Sequence, residues 1–216
     1  MSDPDFPVVE PPFDADQADN GGTDSPAVSG VLLAAGTSSR FGDANKLLAT
    51  VGGEPLVRRA IAPLVAANLH EIVVVLGHEA DAVRDALADF PVEFVVNDDY
   101  AAGQATSVRA GVAAVDEAAD AALFALGDMP DVRPETVAAL VAAFAAGAGD
   151  PLAAAFEGQR GNPVLFGRQF FDRLAAVDGD VGGREILRTA ETTALVETRD
   201  PGVRRDVDRR DDLTEA

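Results

Sequence analysis

The 216-residue chain has no cysteine and no tryptophan, only two histidines and a single lysine. Without cysteine there are no disulfides and no thiolate metal sites, and two histidines are too few for a histidine metal cage. There is no apolar run of the roughly 18 residues that a transmembrane helix needs. A basic N-terminal segment followed by an apolar core, typical of secretory signals, is also missing. We therefore expect a cytoplasmic protein without membrane partners.

The charge balance is strongly acidic, with 37 acidic against 17 basic residues and a formal net charge of −20. A negative field of this size repels nucleic acid and anionic membrane surfaces, so neither is expected as a partner. Abundant Ala and Asp together with one lysine resemble the composition of halophilic proteins from salt-filled cytoplasm. The alternative is an ordinary acidic bacterial protein.

The composition divides the chain near residue 28. Residues 1–27 contain five prolines and seven carboxylates but no Lys or Arg. Such a segment cannot bury a core, and it is predicted to be a disordered acidic leader. Residues 28–216 are long enough for one domain with a full core.

Short apolar runs alternate with helical patterns along the rest of the chain. Residues 31–34, 71–76 and 121–126 are near-continuous apolar segments, typical of strands buried on both faces. Glu54 and Pro55 are expected to open a helix that Pro63 kinks or splits. The alternation predicts an α/β fold with a Rossmann-like, doubly wound, mostly parallel sheet and helices on both faces.

The stretch of residues 33–48, LAAGTSSRFGDANKLL, follows the first strand of this domain. Gly36 and Gly42 allow close approach of the backbone, and successive N–H groups in such a loop can cradle phosphate oxygens. Arg40 and Lys46 add cationic donors. Lys46 is the only lysine in the chain, and its compact ammonium is not interchangeable with a guanidinium at a phosphate. We predict a phosphate-binding loop.

Two further segments carry polar side chains at strand ends. Gly103, Gln104 and Ser107 open an alanine-rich helix, where they suit an anion or a nucleobase edge, or only cap the helix. Asp128 follows the strand of residues 121–126, at the edge where open α/β sheets bind ligands. One or two carboxylates, phosphate oxygens and water complete a typical Mg²⁺ shell, so Asp128 is a candidate Mg²⁺ ligand.

Four separated motifs carry a resemblance to a known family. They are LAAGTSSRFGDANKLL at 33–48, GDMP at 127–130, RGNPVLFGR at 160–168 and GDVGGR at 179–184. In this order they resemble the MobA-like nucleotidyltransferases, specifically the molybdenum cofactor cytidylyltransferase branch. Phe41 stands where that branch usually has Met, and Gly183 where it has Ala.

The resemblance implies roles for particular residues. It implies that Asp128 and Asp208 bind Mg²⁺, although Arg209 and Arg210 replace the Thr-Pro that usually follows the second Asp. Asn162 and Arg184 would contact the acceptor; alternatively, Asp180 only caps the following helix. Catalysis would rest on Lys46, Arg40 and Asp128, and the nucleotide would contact residues Leu33, Ala34, Ala35, Gly36, Arg40, Lys46, Gly103, Gln104 and Ser107.

The implied reaction transfers CMP from CTP to molybdopterin and releases pyrophosphate, for use by a molybdenum hydroxylase. The LAAG form favours CTP over GTP, although uridylyl- and thymidylyltransferases also show it. The alternatives are GTP as donor, a sugar or polyol phosphate as acceptor, or a non-catalytic carrier of pterin cofactor. A dinucleotide-dependent dehydrogenase is disfavoured because GxGxxG does not follow the first strand.

Overall fold

The computed structural model describes residues 6–13, 25–38, 41, 44–179 and 182–214. The strands in these ranges are β1 (Val8–Val9), β2 (Val28–Ala34), β3 (Thr50–Val51), β4 (Glu54–Pro55), β5 (Glu71–Leu76), β6 (Glu93–Val96), β7 (Ala121–Leu126), β8 (Leu152–Phe156), β9 (Gln159–Gly167) and β10 (Ala194–Glu197). The α-helices are α1 (Leu56–Ala66), α2 (Ala80–Ala86), α3 (Gln104–Ala114), α4 (Pro134–Ala145), α5 (Phe171–Ala175) and α6 (Arg184–Thr189).

A central sheet organises the described part of the chain, with eight strands in the order β1-β10-β8-β9-β7-β2-β5-β6. Only β9 runs antiparallel to its neighbours, β7 and β8, and the other pairings are parallel. The predicted α/β sheet is therefore confirmed. In parallel strands the carboxyl ends share one edge, so β2, β5, β6 and β7 deliver their following loops to the same place.

Helices cover both faces of this sheet because alternate strand residues point to opposite sides. On one face, Leu32 and Val74 pack in a buried cluster with side chains from α1, α2 and α4. On the other face, Val31 and Val75 pack with side chains from α3, α5 and α6. Both faces are apolar, which explains why these strands read as continuous apolar runs rather than alternating ones.

The expectation of a disordered leader is wrong for residues 6–13. Val8 and Val9 form β1, which pairs in parallel with Leu195 and Val196 of β10 at the edge of the sheet. Phe6 packs against the cluster on one face, and Val9 and Phe13 against the cluster on the other. These apolar side chains, spaced among the prolines, are what anchor the segment. Residues 1–5 and 14–24 lie outside the described ranges.

The first helix of the domain also departs from the sequence expectation. Glu54 and Pro55 pair with residues 50–51 in a two-stranded hairpin, and the helix begins at Leu56. Pro63 lies within α1, which is not split. Pro63 is itself buried on the packed face of the helix, and this burial offsets the loss of one backbone hydrogen bond. In the described ranges we find no helix with the length and apolarity needed to cross a membrane.

Candidate active site

The loop that follows β2 is held by a small set of hydrogen bonds around Asn45. The Asn45 side chain accepts a hydrogen bond from the backbone N–H of Leu47 at 3.0 Å and so caps the single 3₁₀ turn at Lys46–Leu48. The Lys46 N–H donates to Ser38 Oγ at 3.1 Å. Asn45 is 5% exposed and Ser38 8% exposed. This buried framework fixes the base of the Lys46 side chain.

The Lys46 ammonium lies between two carboxylates from distant parts of the chain. Its Nζ is 2.6 Å from Asp128 Oδ2 and 3.2 Å from Asp208 Oδ1. Burial lowers the pKa of Lys46, but the charge of Asp128 and the hydrogen bonds to Asp128 and Asp208 outweigh it. The net pKa is therefore raised above its usual value of 10.5. Lys46 is a fixed positive charge at neutral pH.

A third carboxylate, that of Asp206, interacts electrostatically with the same group. Burial raises the pKa of Asp206, and the negative charges of Asp128 and Asp208 raise it further, against a backbone hydrogen bond and the charge of Lys46. The site therefore concentrates negative charge around one ammonium. Sequence reasoning missed Asp206, because nothing in the residue pattern distinguishes it from the other acidic residues of the tail.

The segment that carries Asp208 is anchored to the loop that carries Asp128. The backbone N–H of Val207 donates to the carbonyl of Asp128 at 2.9 Å. Asp212 Oδ2 accepts hydrogen bonds from the N–H groups of Asp208 and Arg209 at 2.9 and 2.7 Å. The unusual Arg209-Arg210 pair thus does not displace Asp208 from the site.

On the opposite wall, Asn97 connects the end of β6 to the first turn of α3. Its Nδ2 donates to Thr106 Oγ1 at 2.8 Å and to Ser107 Oγ at 3.0 Å. Ser107 Oγ accepts this bond, so its own proton can be donated to a ligand. Gly103 has φ +118° at the helix start, a conformation that disfavours any side chain. Gln104, next in the chain, is exposed.

These walls enclose a cleft of about 370 Å³ at the carboxyl edge of the sheet. Most of the predicted nucleotide and metal residues line it together, as do Tyr100 and Thr37. The predicted residues that line the cleft are Leu33, Ala35, Gly36, Lys46, Gly103, Gln104, Ser107, Asp128 and Asp208. Ala34 is 1% exposed and packs in the core instead. Arg40 lies outside the described residues.

A second cavity, of about 340 Å³, adjoins the first. The two share Leu33, Gln104 and Leu126 as lining residues. The predicted acceptor residues Asn162 and Arg184 both line the second cavity. Asp180, the alternative helix cap, lies outside the described residues. The structure therefore brings the predicted donor and acceptor residues to two connected spaces.

The chemistry of the acidic group fits a divalent cation. Carboxylate oxygens are the protein ligands that Mg²⁺ and Mn²⁺ prefer, and Asp128 and Asp208 approach the same ammonium. Within the described ranges there is no cluster of three or more acidic or histidine side chains arranged as a complete metal cage. Magnesium commonly takes one or two carboxylates and fills its remaining positions with phosphate oxygens and water, and two carboxylates meet that need.

A lysine that contacts two carboxylates beside a glycine-containing loop, at the carboxyl edge of a mostly parallel sheet, fits a nucleotidyltransferase. Comparison with known proteins agrees with this class. Residues 30–195 match the family described as the MobA-like NTP transferase domain. The chain belongs to that family, as its motifs predicted.

Three relatives illustrate the range of the family. Nicotine blue oxidoreductase from Paenarthrobacter nicotinovorans is 34% identical over 87% of this chain and 95% of its own length. Bifunctional protein GlmU from Dichelobacter nodosus is 32% identical over 75% of this chain, which matches only 34% of that longer protein. Rv0371c from Mycobacterium tuberculosis has a crystal structure with a TM-score of 0.77 and 28% identity, covering 89% of this chain and 98% of Rv0371c. A structure of Rv0371c in complex with manganese is 27% identical, with a TM-score of 0.75, covering 88% of this chain and 97% of that one.

Proposed function

We propose that this nucleotidyltransferase transfers CMP from CTP to molybdopterin with Mg²⁺ as cofactor. The observation that carries the proposal is the meeting of Lys46, Asp128 and Asp208 in the cleft beside the loop after β2. The chain has one lysine, and it lies where triphosphate charge would need to be neutralised. Because the acceptor would be a phosphate monoester, already a competent nucleophile, no Ser-His-Asp machinery is required.

The chain's own residues would act mainly by positioning and electrostatics. The exposed backbone around Gly36 would receive phosphate oxygens, and the Lys46 ammonium would donate to them. Asp128 and Asp208 would hold the metal. When bound, the metal supplies positive charge that offsets the negative charge developing on the phosphates. The Ser107 hydroxyl, fixed by Asn97, would donate to the nucleotide from the opposite wall. Arg40 remains part of the proposal as a second cation.

The second cavity supports a large acceptor. It adjoins the first, and Asn162 and Arg184 would contact the acceptor phosphate or its attached ring system there. Buried aromatic side chains, Phe124 and Phe166, form part of its wall and pack edge to face with centroids 6.0 Å apart. An acceptor with a flat heterocycle can stack on this aromatic wall, while Asn162 and Arg184 offer polar partners to its phosphate. A recipient molybdenum hydroxylase belongs to the same proposal.

The test is pyrophosphate release from CTP, GTP, UTP and ATP in turn. Each reaction contains Mg²⁺, molybdopterin and molar KCl, because a net charge of −20 calls for screening. We expect selective turnover of CTP. Turnover of GTP instead of CTP would make GTP the donor. Turnover only when a sugar or polyol phosphate takes the place of molybdopterin would identify a different acceptor.

Asp128→Asn is the decisive variant and Asp81→Asn its matched control. Both remove one carboxylate charge, but Asp81 is 95% exposed and pairs only with Arg84 on a surface helix among the contacts described. We expect Asp128→Asn to lower turnover by about a hundredfold or more, with Asp81→Asn unchanged. Equal activity in the two variants would contradict the proposed role of Asp128. Retained molybdopterin binding without any turnover in the wild type would favour the carrier.

A redox activity is the second candidate, since the relative that spans 87% of this chain is named nicotine blue oxidoreductase. The absence of GxGxxG after β2 disfavours a typical dinucleotide site on this scaffold. Oxidation of NADH and NADPH in the presence of nicotine blue provides the direct assay. Turnover there that survives Asp128→Asn, with no pyrophosphate release from any nucleotide, would establish the redox alternative.

A further inference from the structure

The position of the Lys46 ammonium raises a problem for metal binding. Its Nζ donates to Asp128 Oδ2 and to Asp208 Oδ1, the two oxygens that the proposed function assigns to a divalent cation. The Lys46 side chain is only 13% exposed, and those of Asp128 and Asp208 are 21% and 37% exposed. A metal ion that contacts both carboxylates would meet this ammonium at close range, where like charges repel strongly.

We infer that Lys46 is a resident counter-ion that exchanges with the divalent metal when a nucleoside triphosphate binds. Without nucleotide, the ammonium neutralises the two carboxylates and competes with the metal for them. With nucleotide, the phosphates offer the ammonium a new partner and the carboxylates are released to the metal. This inference rests on the proposed function, because it assigns the regulation of the same site.

The location of Lys46 supports such an exchange. Its backbone is fixed by the bond from its N–H to Ser38 Oγ and by the Asn45 cap, while the long side chain alone reaches the carboxylates. Gly36 and Ser38, on the loop where phosphates would lie, line the same cleft as the Lys46 side chain. A rotation of side-chain torsions can therefore move the ammonium from carboxylates to phosphates without moving the backbone.

The exchange makes metal and nucleotide binding mutually dependent. The nucleotide draws the ammonium away from the carboxylates that the metal needs, and the metal frees the ammonium for the phosphates. Each ligand therefore raises the affinity for the other, and by the same factor. A protein whose carboxylates were already free would keep only the coupling that comes from direct contact between the metal and the phosphates. The difference in coupling between the wild type and a Lys46 variant therefore measures the contribution of Lys46.

The first experiment measures Mn²⁺ affinity by electron paramagnetic resonance, with and without CTP and in the absence of acceptor. We compare the wild type with Lys46→Met and Lys46→Gln, both verified as folded by circular dichroism. Without CTP, both variants should bind Mn²⁺ about tenfold more tightly than the wild type, and CTP should change that affinity much less. Unchanged or weaker Mn²⁺ binding by the variants would overturn the inference.

Arg84→Met is the control for net charge. Arg84 pairs with the exposed Asp81 at 2.9 Å on α2, so the variant loses the same unit of charge at another place. It should leave Mn²⁺ affinity and coupling as in the wild type. If Arg84→Met tightened Mn²⁺ binding as much as Lys46→Met, a general charge effect would replace the local exchange.

The second experiment observes the ammonium directly. Because Lys46 is the only lysine, protein labelled with ¹³C and ¹⁵N lysine gives one side-chain signal in the magnetic resonance spectrum. The signal should shift with saturating Mg²⁺, shift again with Mg²⁺ and CTP, and differ in Asp128→Asn before any addition. A signal that does not shift with either ligand would refute the exchange. This test uses the wild type, so it remains valid even if the Lys46 variants fail to fold. Failure of the proposed function is read separately, as absence of pyrophosphate release by the wild type.

Discussion

Asp200 is a buried carboxylate whose loss should destabilise both the fold and the candidate site. It is 1% exposed and accepts hydrogen bonds from the N–H of Arg133 at 2.8 Å, Thr136 Oγ1 at 2.7 Å and the N–H of Gly202 at 2.9 Å. Two of these donors lie at the start of α4, and the third lies in the turn that leads to Asp208. The carboxylate therefore connects the two segments that supply the acidic group.

The expected cost follows from the number of donors left without an acceptor. In Asp200→Ala, two backbone N–H groups and one hydroxyl lose their partner in a site closed to water. A buried donor left without an acceptor costs about 1–3 kcal/mol, so the loss of all three bonds should cost about 3 kcal/mol or more, a large part of a typical stability of about 5–15 kcal/mol. Asp200→Asn keeps one acceptor oxygen but turns an NH₂ group toward an N–H donor, so we expect about 1–3 kcal/mol.

The assay is urea unfolding followed by circular dichroism at constant KCl, since guanidinium would itself screen the charges. Asp81→Ala is the control, because that side chain is 95% exposed and its loss should cost under about 1 kcal/mol. We expect Asp200→Ala to lose the most stability, Asp200→Asn to lose less, and the Asp81→Ala control to lose the least. If Asp200→Ala lay within about 1 kcal/mol of the wild type, Asp200 would not anchor these segments.

Three further predictions follow from single contacts. A Cβ on Gly36 meets no atom within 4 Å, whereas one on Gly202 lies 2.1 Å from the carbonyl oxygen of Asp131. Gly202→Ala should therefore lower the free energy of unfolding in urea by about 2 kcal/mol or more. Gly36→Ala should unfold like the wild type but lose pyrophosphate release. If Gly36→Ala were the unstable variant and Gly202→Ala the inactive but stable one, both predictions would be contradicted. Tyr100 is the only tyrosine and there is no tryptophan, so CTP binding in the cleft should change the tyrosine emission, a signal that Tyr100→Phe must abolish. A hydrogen bond from Arg58 holds the pKa of Asp89 at about 2, below its usual 3.8. The stability that this pair contributes should therefore persist above about pH 4 and disappear as the pH falls toward 2. If the urea midpoint of Arg58→Met fell over this range as much as that of the wild type, this prediction would be refuted.

The sheet was predictable because its strands are buried on both faces. Residues 71–76 and 121–126 appear as near-continuous apolar runs, and the structure has strands with these same bounds. A strand buried on both faces has apolar residues at nearly every position, so it is recognisable in the sequence as a short continuous apolar run. The edge strand β1 lacked that signal, because two valines among prolines resemble a disordered segment unless the uncovered edge of β10 is already known.

Most of the residues that line the candidate cleft could be named from the sequence, but their geometry could not. Loops after parallel strands must meet at one edge, so the meeting of the Lys46 loop with Asp128 follows from the fold class. The approach of Asp208 does not, because it depends on close packing of Gly202 against Asp131 and on the buried bonds of Asp200. Such contacts join residues that are about 70 positions apart, and no local pattern in the chain encodes them.

The acidic group places a free-energy cost on this edge of the sheet, a feature that is typical of ligand sites rather than of stabilising contacts. Asp128 and Asp208 contact one ammonium, and the pKa of nearby Asp206 is raised by burial first and by the charges of Asp128 and Asp208 second. Carboxylates gathered in this way destabilise a protein unless a cation joins them. In a chain with a net charge of −20, every additional buried negative charge adds to that repulsion. Such a cost is expected where carboxylates serve a ligand, as the proposed function requires, and the only lysine in the chain stands beside them.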